Sequence, residues 1–233
     1  MDTRRLTFLE HLEELRRRLL VCAGAVVLGA IVAYAEAGRV LQWLARPVGR
    51  LVFLSPFEAF TAYLHIALVG GVVLALPVVL FEVWRYVGPA LNTRERRWLA
   101  GGVLASLGLF LVGMAVAYFV VIPLGLRFLL GFANETMQPM ISVGSYVSTL
   151  GWMLLAFGLV FQLPILLVLL AALGLVNARQ LAQVRPYAVV GILILAAAAT
   201  PGPDVLSQIA LAVPLWILFE LSIWLTRMVK SHG

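Results

Sequence analysis

Long apolar runs separated by short polar segments make up most of this chain. Residues 136 to 178 include not one Asp, Glu, Lys or Arg. A run of about 18 or more apolar residues is long enough to cross a bilayer as a helix. The pattern predicts an all-α polytopic membrane protein with six transmembrane helices, near residues 19–36, 62–84, 98–123, 146–174, 187–200 and 206–226. We expect them to form a single transmembrane domain over residues 1–233.

The fifth predicted span is short. Only the residues 187–200 lie between Pro186 and Pro201. At a rise of about 1.5 Å per residue they cover about 21 Å of a hydrocarbon core that is about 30 Å thick. The sixth span contains Pro214, so it too could be short. Short spans require a locally thinner bilayer or protein neighbours.

The distribution of basic residues predicts the orientation of the helices. The composition is 63% hydrophobic and 12% charged, and the net charge is +6. Most of the 17 basic residues fall on the side of the amino terminus, where we expect Arg4, Arg5, Arg16, Arg17, Arg18, Arg85, Arg94, Arg96, Arg97, Arg179, Arg185, Arg227 and Lys230. Cytoplasmic loops carry such an excess, so both termini are predicted to be cytoplasmic. Orientation explains the positive charge, and we expect no nucleic-acid partner.

The sequence carries no pattern typical of an enzyme. His65 is the only histidine inside a predicted span, and Cys22 is the only cysteine. A zinc site or a nucleophile with its base needs more such residues at suitable spacing. No glycine-rich phosphate loop follows a strand pattern. We therefore expect no catalysis, metal or other cofactor.

Residues 1–18 are predicted to form a cytoplasmic amphipathic N-terminus, in which Thr7 to Arg18 form a helix that leads into the first span. Thr7 and Glu10 have the spacing of a capping box. Glu14 lies four residues before Arg18, the favoured order for an ion pair within a helix. Two interpretations remain open: a solvated, ion-paired interfacial helix, or a carboxylate that is kept for an external cation.

A second carboxylate lies in the cytoplasmic segment between the second and third spans. Asn92 could cap the third span, which places Glu95 in its first turn. Capping is one interpretation of Glu95. The other is binding, because Glu14 and Glu95 both lie at the cytoplasmic membrane boundary. Two carboxylates there suit two guanidinium groups, since arginine pairs bidentately with a carboxylate.

Gln162 is a polar residue in the middle of the fourth span, two residues before Pro164. An amide in hydrocarbon is expected to bond across a helix interface or to a carbonyl freed by proline. A structural role and a docking point for a partner helix are both open.

Other acids lie towards the ends of spans. Glu82 and Glu220 lie near the cytoplasmic ends of the second and sixth, and Asp204 lies just outside the membrane, close to Gln208. Acids inside spans are candidates for function, whereas acids at the ends often only reach towards water.

The first external segment, residues 38–50, mixes three arginines with apolar residues. This predicts a short helix lying in the membrane interface, and Pro47 is expected to end it.

Several motifs occur in order along nearly the whole chain: EHLEELRRRL at 10–19, WRYVGPAL at 84–91, RERR at 94–97, AVAYF at 115–119, AFG at 156–158, RPY at 185–187 and PDVLSQ at 203–208. Together they resemble the TatC family, the signal-peptide receptors of twin-arginine translocases. Many are charged, so an apolar composition alone would rarely reproduce them.

The resemblance implies a receptor of the inner membrane that binds twin-arginine signal peptides of folded cargo. It implies TatA and TatB subunits and further copies of the receptor as partners, membrane lipid as surroundings, and the proton-motive force as energy source. Glu14 and Glu95 match the carboxylates that bind the signal's arginines, and Arg16 and Tyr86 match further positions of that site. Pro47 and Asp204 match other functional positions, and we group them with Gln162 and Gln208 as docking or structural residues.

One residue departs from the family pattern. Relatives commonly have Glu where this chain has Gln162, and Gln cannot titrate, so an obligatory proton relay at this position is in doubt. Two competing functions remain: a secondary transporter, which would favour paired polar residues at the midplane and repeated halves, and a passive assembly scaffold.

Overall fold

The structure, a computed structural model, describes residues 8–49, 51–88, 99–131, 140–199 and 205–230. Within these ranges the regular structure is helical. The helices are α1 (Phe8–Ala35), α2 (Ala37–Leu44), α3 (Pro56–Val87), α4 (Leu99–Val116), a π-helical turn (Ala117–Val121), α5 (Ile122–Leu130), α6 (Val143–Val160), α7 (Leu163–Ala172), α8 (Ala178–Gln183), α9 (Arg185–Ala199) and α10 (Val205–Lys230). The prediction of an all-α fold is confirmed.

Four stretches of the described chain are long and apolar enough to cross a membrane. They are Leu12–Ala35, Pro56–Val87, Gly101–Phe128 and Val143–Ala172. The last two are each built from consecutive helices, because the π-helical turn and the break at 161–162 interrupt them. Helix α9, with 15 residues, is short as predicted. Helix α10 continues through Pro214 for 26 residues.

Small residues bring α1 and α3 into close contact. A Cβ atom added to Gly71 would lie 2.7 Å from the backbone nitrogen of Ala30, and one added to Gly29 would lie 2.7 Å from the carbonyl oxygen of Gly71. Only glycine permits such an approach of two backbones. The antiparallel pair therefore places the start of α1 beside the end of α3.

Two tyrosines hold the carboxyl end of α2. The Tyr118 hydroxyl donates to the carbonyl of Trp43 at 3.1 Å, and the Tyr146 hydroxyl donates to the carbonyl of Leu44 at 2.8 Å. The tyrosines thereby satisfy carbonyls that a helix end leaves without intrahelical partners. Helix α2 ends at Leu44 with its C-cap at Ala45, and Pro47 follows two residues after this cap, where a proline prevents the helix from continuing.

Candidate functional site

Arg18 lies between two carboxylates where α1 meets the end of α3. Its Nε donates to Glu14 Oε1 at 3.2 Å, and its Nη2 contacts the same oxygen. Its Nη1 donates to Glu82 Oε2 at 2.7 Å. The Glu14–Arg18 ion pair was predicted from sequence spacing. The contact with Glu82, 64 residues away along the chain, depends on the packing of α1 against α3.

Helical periodicity places the members of this cluster. Glu14 and Arg18 are four residues apart on α1, and Glu82 and Tyr86 are four residues apart on α3, so each pair shares one helix face. The guanidinium carbon of Arg18 lies 6.0 Å from the centroid of the Tyr86 ring. That distance is at the outer limit of a cation–π contact. The four residues, Glu14, Arg18, Glu82 and Tyr86, are called the Arg18 cluster below.

The two carboxylates of the Arg18 cluster differ in exposure. The side chains of Arg18 and Glu82 are each 13% exposed, whereas that of Glu14 is 29% exposed. Glu14 is therefore the carboxylate that an incoming group reaches more easily. Two carboxylates share one guanidinium, so these three charged side chains carry one excess negative charge. The cluster can accept a further cation at Glu14.

The other residues predicted for peptide binding are placed differently. Arg16 is exposed and lies two positions from both Glu14 and Arg18, so it does not share their helix face. Glu95 lies outside the described residues. The structure therefore brings together Glu14 and Tyr86 of the predicted set. It adds Arg18, which the four-residue spacing had already paired with Glu14, and Glu82, which only its charge and position near the membrane boundary could have indicated.

Gln162 makes a hydrogen bond across helices. Its amide nitrogen donates to the backbone carbonyl of Ser106 on α4 at 2.8 Å. The Ser106 hydroxyl, in a residue only 1% exposed, accepts from Trp84 Nε1 on α3 at 3.0 Å. These bonds join α3, α4 and the break between α6 and α7. The carbonyl that Gln162 uses belongs to another helix and is not one freed by Pro164.

Of the remaining docking or structural candidates, Gln208 and Pro47 lie within the described residues. Gln208 Nε2 donates to the carbonyl of Leu193 at 3.0 Å and so links α10 to α9. Pro47 is exposed in the turn that follows α2. Asp204 lies outside the described residues. The acid Glu220 pairs with Arg185 at 2.7 Å, which is a second contact between α9 and α10.

Sequence reasoning missed the role of Glu58, in the first turn of α3. One carboxylate oxygen accepts from the backbone nitrogen of Leu54 at 2.7 Å. The other accepts from the backbone nitrogen of Gly144 at 3.0 Å and from the Ser142 hydroxyl. Ser55 and Glu58 have capping-box spacing, a signal that could have marked this acid. The spacing does not indicate that Glu58 also accepts hydrogen bonds from Ser142 and Gly144 at the start of α6.

Within the described ranges, no group of three or more His, Cys, Asp or Glu side chains could hold a metal ion. The helices show that the chain is a polytopic α-helical membrane protein. At its candidate site, the Arg18 cluster, the polar contacts come from arginine and carboxylate side chains.

Comparisons with known proteins identify the family. Residues 10–214 match the model of the Sec-independent protein translocase protein family, TatC. TatC of Carboxydothermus hydrogenoformans is 40% identical over 99% of this chain and 96% of its own length. TatC of Escherichia coli is 34% identical over 96% of this chain and 89% of its own length. The chain belongs to the TatC family.

A solved structure agrees with this assignment. A crystal structure of a twin-arginine translocase receptor, TatC, is 37% identical to this chain and superposes with a TM-score of 0.82. The superposition covers 94% of this chain and 99% of the other. The chain is therefore a component of a protein translocase and not an enzyme.

Proposed function

We propose that this protein is the receptor core of a twin-arginine translocase and that it binds the paired arginines of signal peptides at its cytoplasmic face. The observation that carries the proposal is the Arg18 cluster, in which Glu14 already holds a guanidinium group and remains 29% exposed. Arginine pairs with carboxylate in a planar, bidentate geometry that lysine cannot reproduce. A site of this kind discriminates twin arginine from twin lysine.

A single carboxylate serves only one of the two arginines. The family resemblance supplies Glu95 as the second, with Arg16 and Tyr86 as further members of the binding site. The excess of basic residues on the same side of the membrane supports a cytoplasmic position for this face and insertion of the chain in the inner membrane.

The same proposal includes the partners. The whole chain acts as one transmembrane domain that recruits TatA- and TatB-type single-span subunits and further copies of itself, and the proton-motive force drives export. The short helix α9 supports this, because a 15-residue helix covers only about 22 Å of a hydrocarbon core that is about 30 Å thick. Neighbouring helices or a thinned bilayer must compensate for the difference. Pro47, Gln162, Asp204 and Gln208 are the candidate residues for docking or for supporting these contacts.

Peptide binding tests the proposal. The purified full chain in detergent is titrated with two synthetic signal peptides that differ only in carrying Arg-Arg or Lys-Lys. We expect a clear preference for Arg-Arg. Glu14→Ala and Glu95→Ala are each expected to raise the Kd by at least about tenfold, because each leaves a guanidinium without its carboxylate.

The matched control is Glu36→Ala. Glu36 also forms an ion pair with an arginine, Arg39, at 2.8 Å. This pair is exposed, and it lies just after the end of α1 that is opposite to the Arg18 cluster. This variant is expected to bind the Arg-Arg peptide like the wild type. Equal affinity of the wild-type protein for both peptides would contradict the receptor function and favour a passive scaffold.

A further inference from the structure

Arg18 competes with any peptide arginine that binds Glu14. The guanidinium of Arg18 already occupies Glu14 Oε1, so an incoming arginine that pairs bidentately with both oxygens of Glu14 must displace it. Arg18 is 13% exposed and cannot be solvated fully where it lies. A charge left buried without a partner is strongly unfavourable. Displacement of Arg18 is therefore feasible only if another acceptor holds it.

We propose that Glu82 is that acceptor, a positioning residue that retains Arg18 while Glu14 transfers from Arg18 to an arginine of the signal peptide. This inference rests on the proposed function, because it concerns the same site. In the free protein Arg18 bridges Glu14 and Glu82. In the complex Arg18 pairs with Glu82 alone, and Glu14 pairs with the peptide.

The geometry supports this division of roles. The bond from Arg18 Nη1 to Glu82 Oε2 measures 2.7 Å, and it uses a different guanidinium nitrogen from the contacts with Glu14. Loss of the Glu14 contacts therefore leaves the Glu82 bond intact. Glu82 is as buried as Arg18, whereas Glu14 is more than twice as exposed. The outer carboxylate is available for exchange, and the inner carboxylate holds Arg18.

The charges of Glu14, Arg18 and Glu82 also support the proposed role of Glu82. Glu14, Arg18 and Glu82 together carry a net charge of −1, so one added guanidinium makes the set neutral. Without Glu82, the remaining pair of Glu14 and Arg18 is already neutral, and an added guanidinium would leave one positive charge in excess. Glu82 thus makes the site attractive to a cation even while Arg18 is present.

Three variants test the role of Glu82 by binding of the Arg-Arg peptide. Glu82→Gln is expected to raise the Kd by about tenfold, because Arg18 then depends on Glu14 alone and competes with the peptide. The double variant Arg18→Gln/Glu82→Gln is expected to restore wild-type affinity or better, because the internal competitor is gone. Arg18→Gln alone is expected to bind at least as tightly as the wild type. Glu36→Gln is the charge-matched control and should leave the Kd unchanged.

Rescue is the decisive observation. A Glu82 side chain that contacted the peptide directly would not be compensated by removal of Arg18. A double variant that binds as weakly as Glu82→Gln, or a Glu82→Gln variant with wild-type affinity, would overturn the proposal.

Double-mutant cycles of thermal unfolding provide a second readout. Coupling between Arg18 and Glu82 is measured with Gln substitutions, with and without saturating peptide, and coupling between Arg18 and Glu14 is measured in the same way. We expect the Arg18–Glu82 coupling to persist with peptide. The Arg18–Glu14 coupling should fall towards zero when the peptide is present at concentrations that also saturate the Glu14 variant. Undiminished Arg18–Glu14 coupling in the complex would overturn the exchange.

The failure of this inference differs from the failure of the receptor function. If the wild-type protein does not prefer Arg-Arg to Lys-Lys, both proposals fall. If the preference is present and depends on Glu14, but Arg18→Gln does not rescue Glu82→Gln, only the role of Glu82 is wrong.

Discussion

At the scale of single residues, two glutamines are held by backbone carbonyls of other helices. Gln162 bonds to the carbonyl of Ser106, and Gln208 bonds to the carbonyl of Leu193. Hydrogen bonds between membrane helices contribute about 0.6 kcal/mol on average and up to about 2 kcal/mol. The sequence predicted that Gln162 needs a partner, but Ser106 became that partner only when α4 packed against α6 and α7.

The structural role of Gln162 can be tested by Gln162→Leu. The change removes the amide donor and its bond to Ser106, so we expect the free energy of unfolding to fall by about 1 kcal/mol. Denaturant unfolding of the detergent-solubilised protein measures the loss. Gln183→Leu, in an exposed position on α8, is the control and should change stability little. An unchanged stability for Gln162→Leu would mean that the amide is free to dock a partner helix.

At the scale of the elements, the pairing of α1 with α3 determines where the Arg18 cluster forms. Gly29 and Gly71 let the two backbones approach closely, and this sets the register that brings Arg18 to Glu82. Hydrophobic periodicity predicted both helices. It could not predict their register, because apolar faces of similar composition pack at many offsets and only the shapes of small residues select one.

Gly71→Ala tests this packing. The added methyl group would lie 2.7 Å from a backbone nitrogen of α1, so the helices must separate. We expect a loss of about 1–3 kcal/mol in unfolding free energy, the usual range for an overpacked contact. Gly24→Ala is the matched control on α1, because its methyl group would meet nothing within 4 Å. Equal stability of both variants would show that the glycine contact does not determine the packing.

At the scale of the whole molecule, long-range contacts join the segments that precede helices. Glu58, in the first turn of α3, holds the backbone of Leu54 and also Ser142 and Gly144 at the start of α6. Val52 and Ser142 form an isolated bridge beside it. One carboxylate therefore links two segments that are more than eighty residues apart in the chain.

Glu58→Ala is expected to loosen both segments. The amides of Leu54 and Gly144 lose their acceptor, so their hydrogen exchange should become faster, while amides in the middle of α3 stay protected. Exchange measured by mass spectrometry on the detergent-solubilised protein checks this. Glu36→Ala serves as the control, because its exposed pair with Arg39 spans only three residues. Unchanged exchange at 54 and 144 would contradict the linking role.

The sequence by itself determined what the bilayer and the local helix geometry require. Apolar runs predicted all-α spans, because backbone groups in lipid must be satisfied within a helix. Spacing of four residues predicted the pair of Glu14 and Arg18. Tertiary structure alone decided that Glu82 shares Arg18 and that Glu58 reaches Gly144. These partners are distant in the chain, and only the close packing of helices brings such charges and backbone groups within hydrogen-bonding distance.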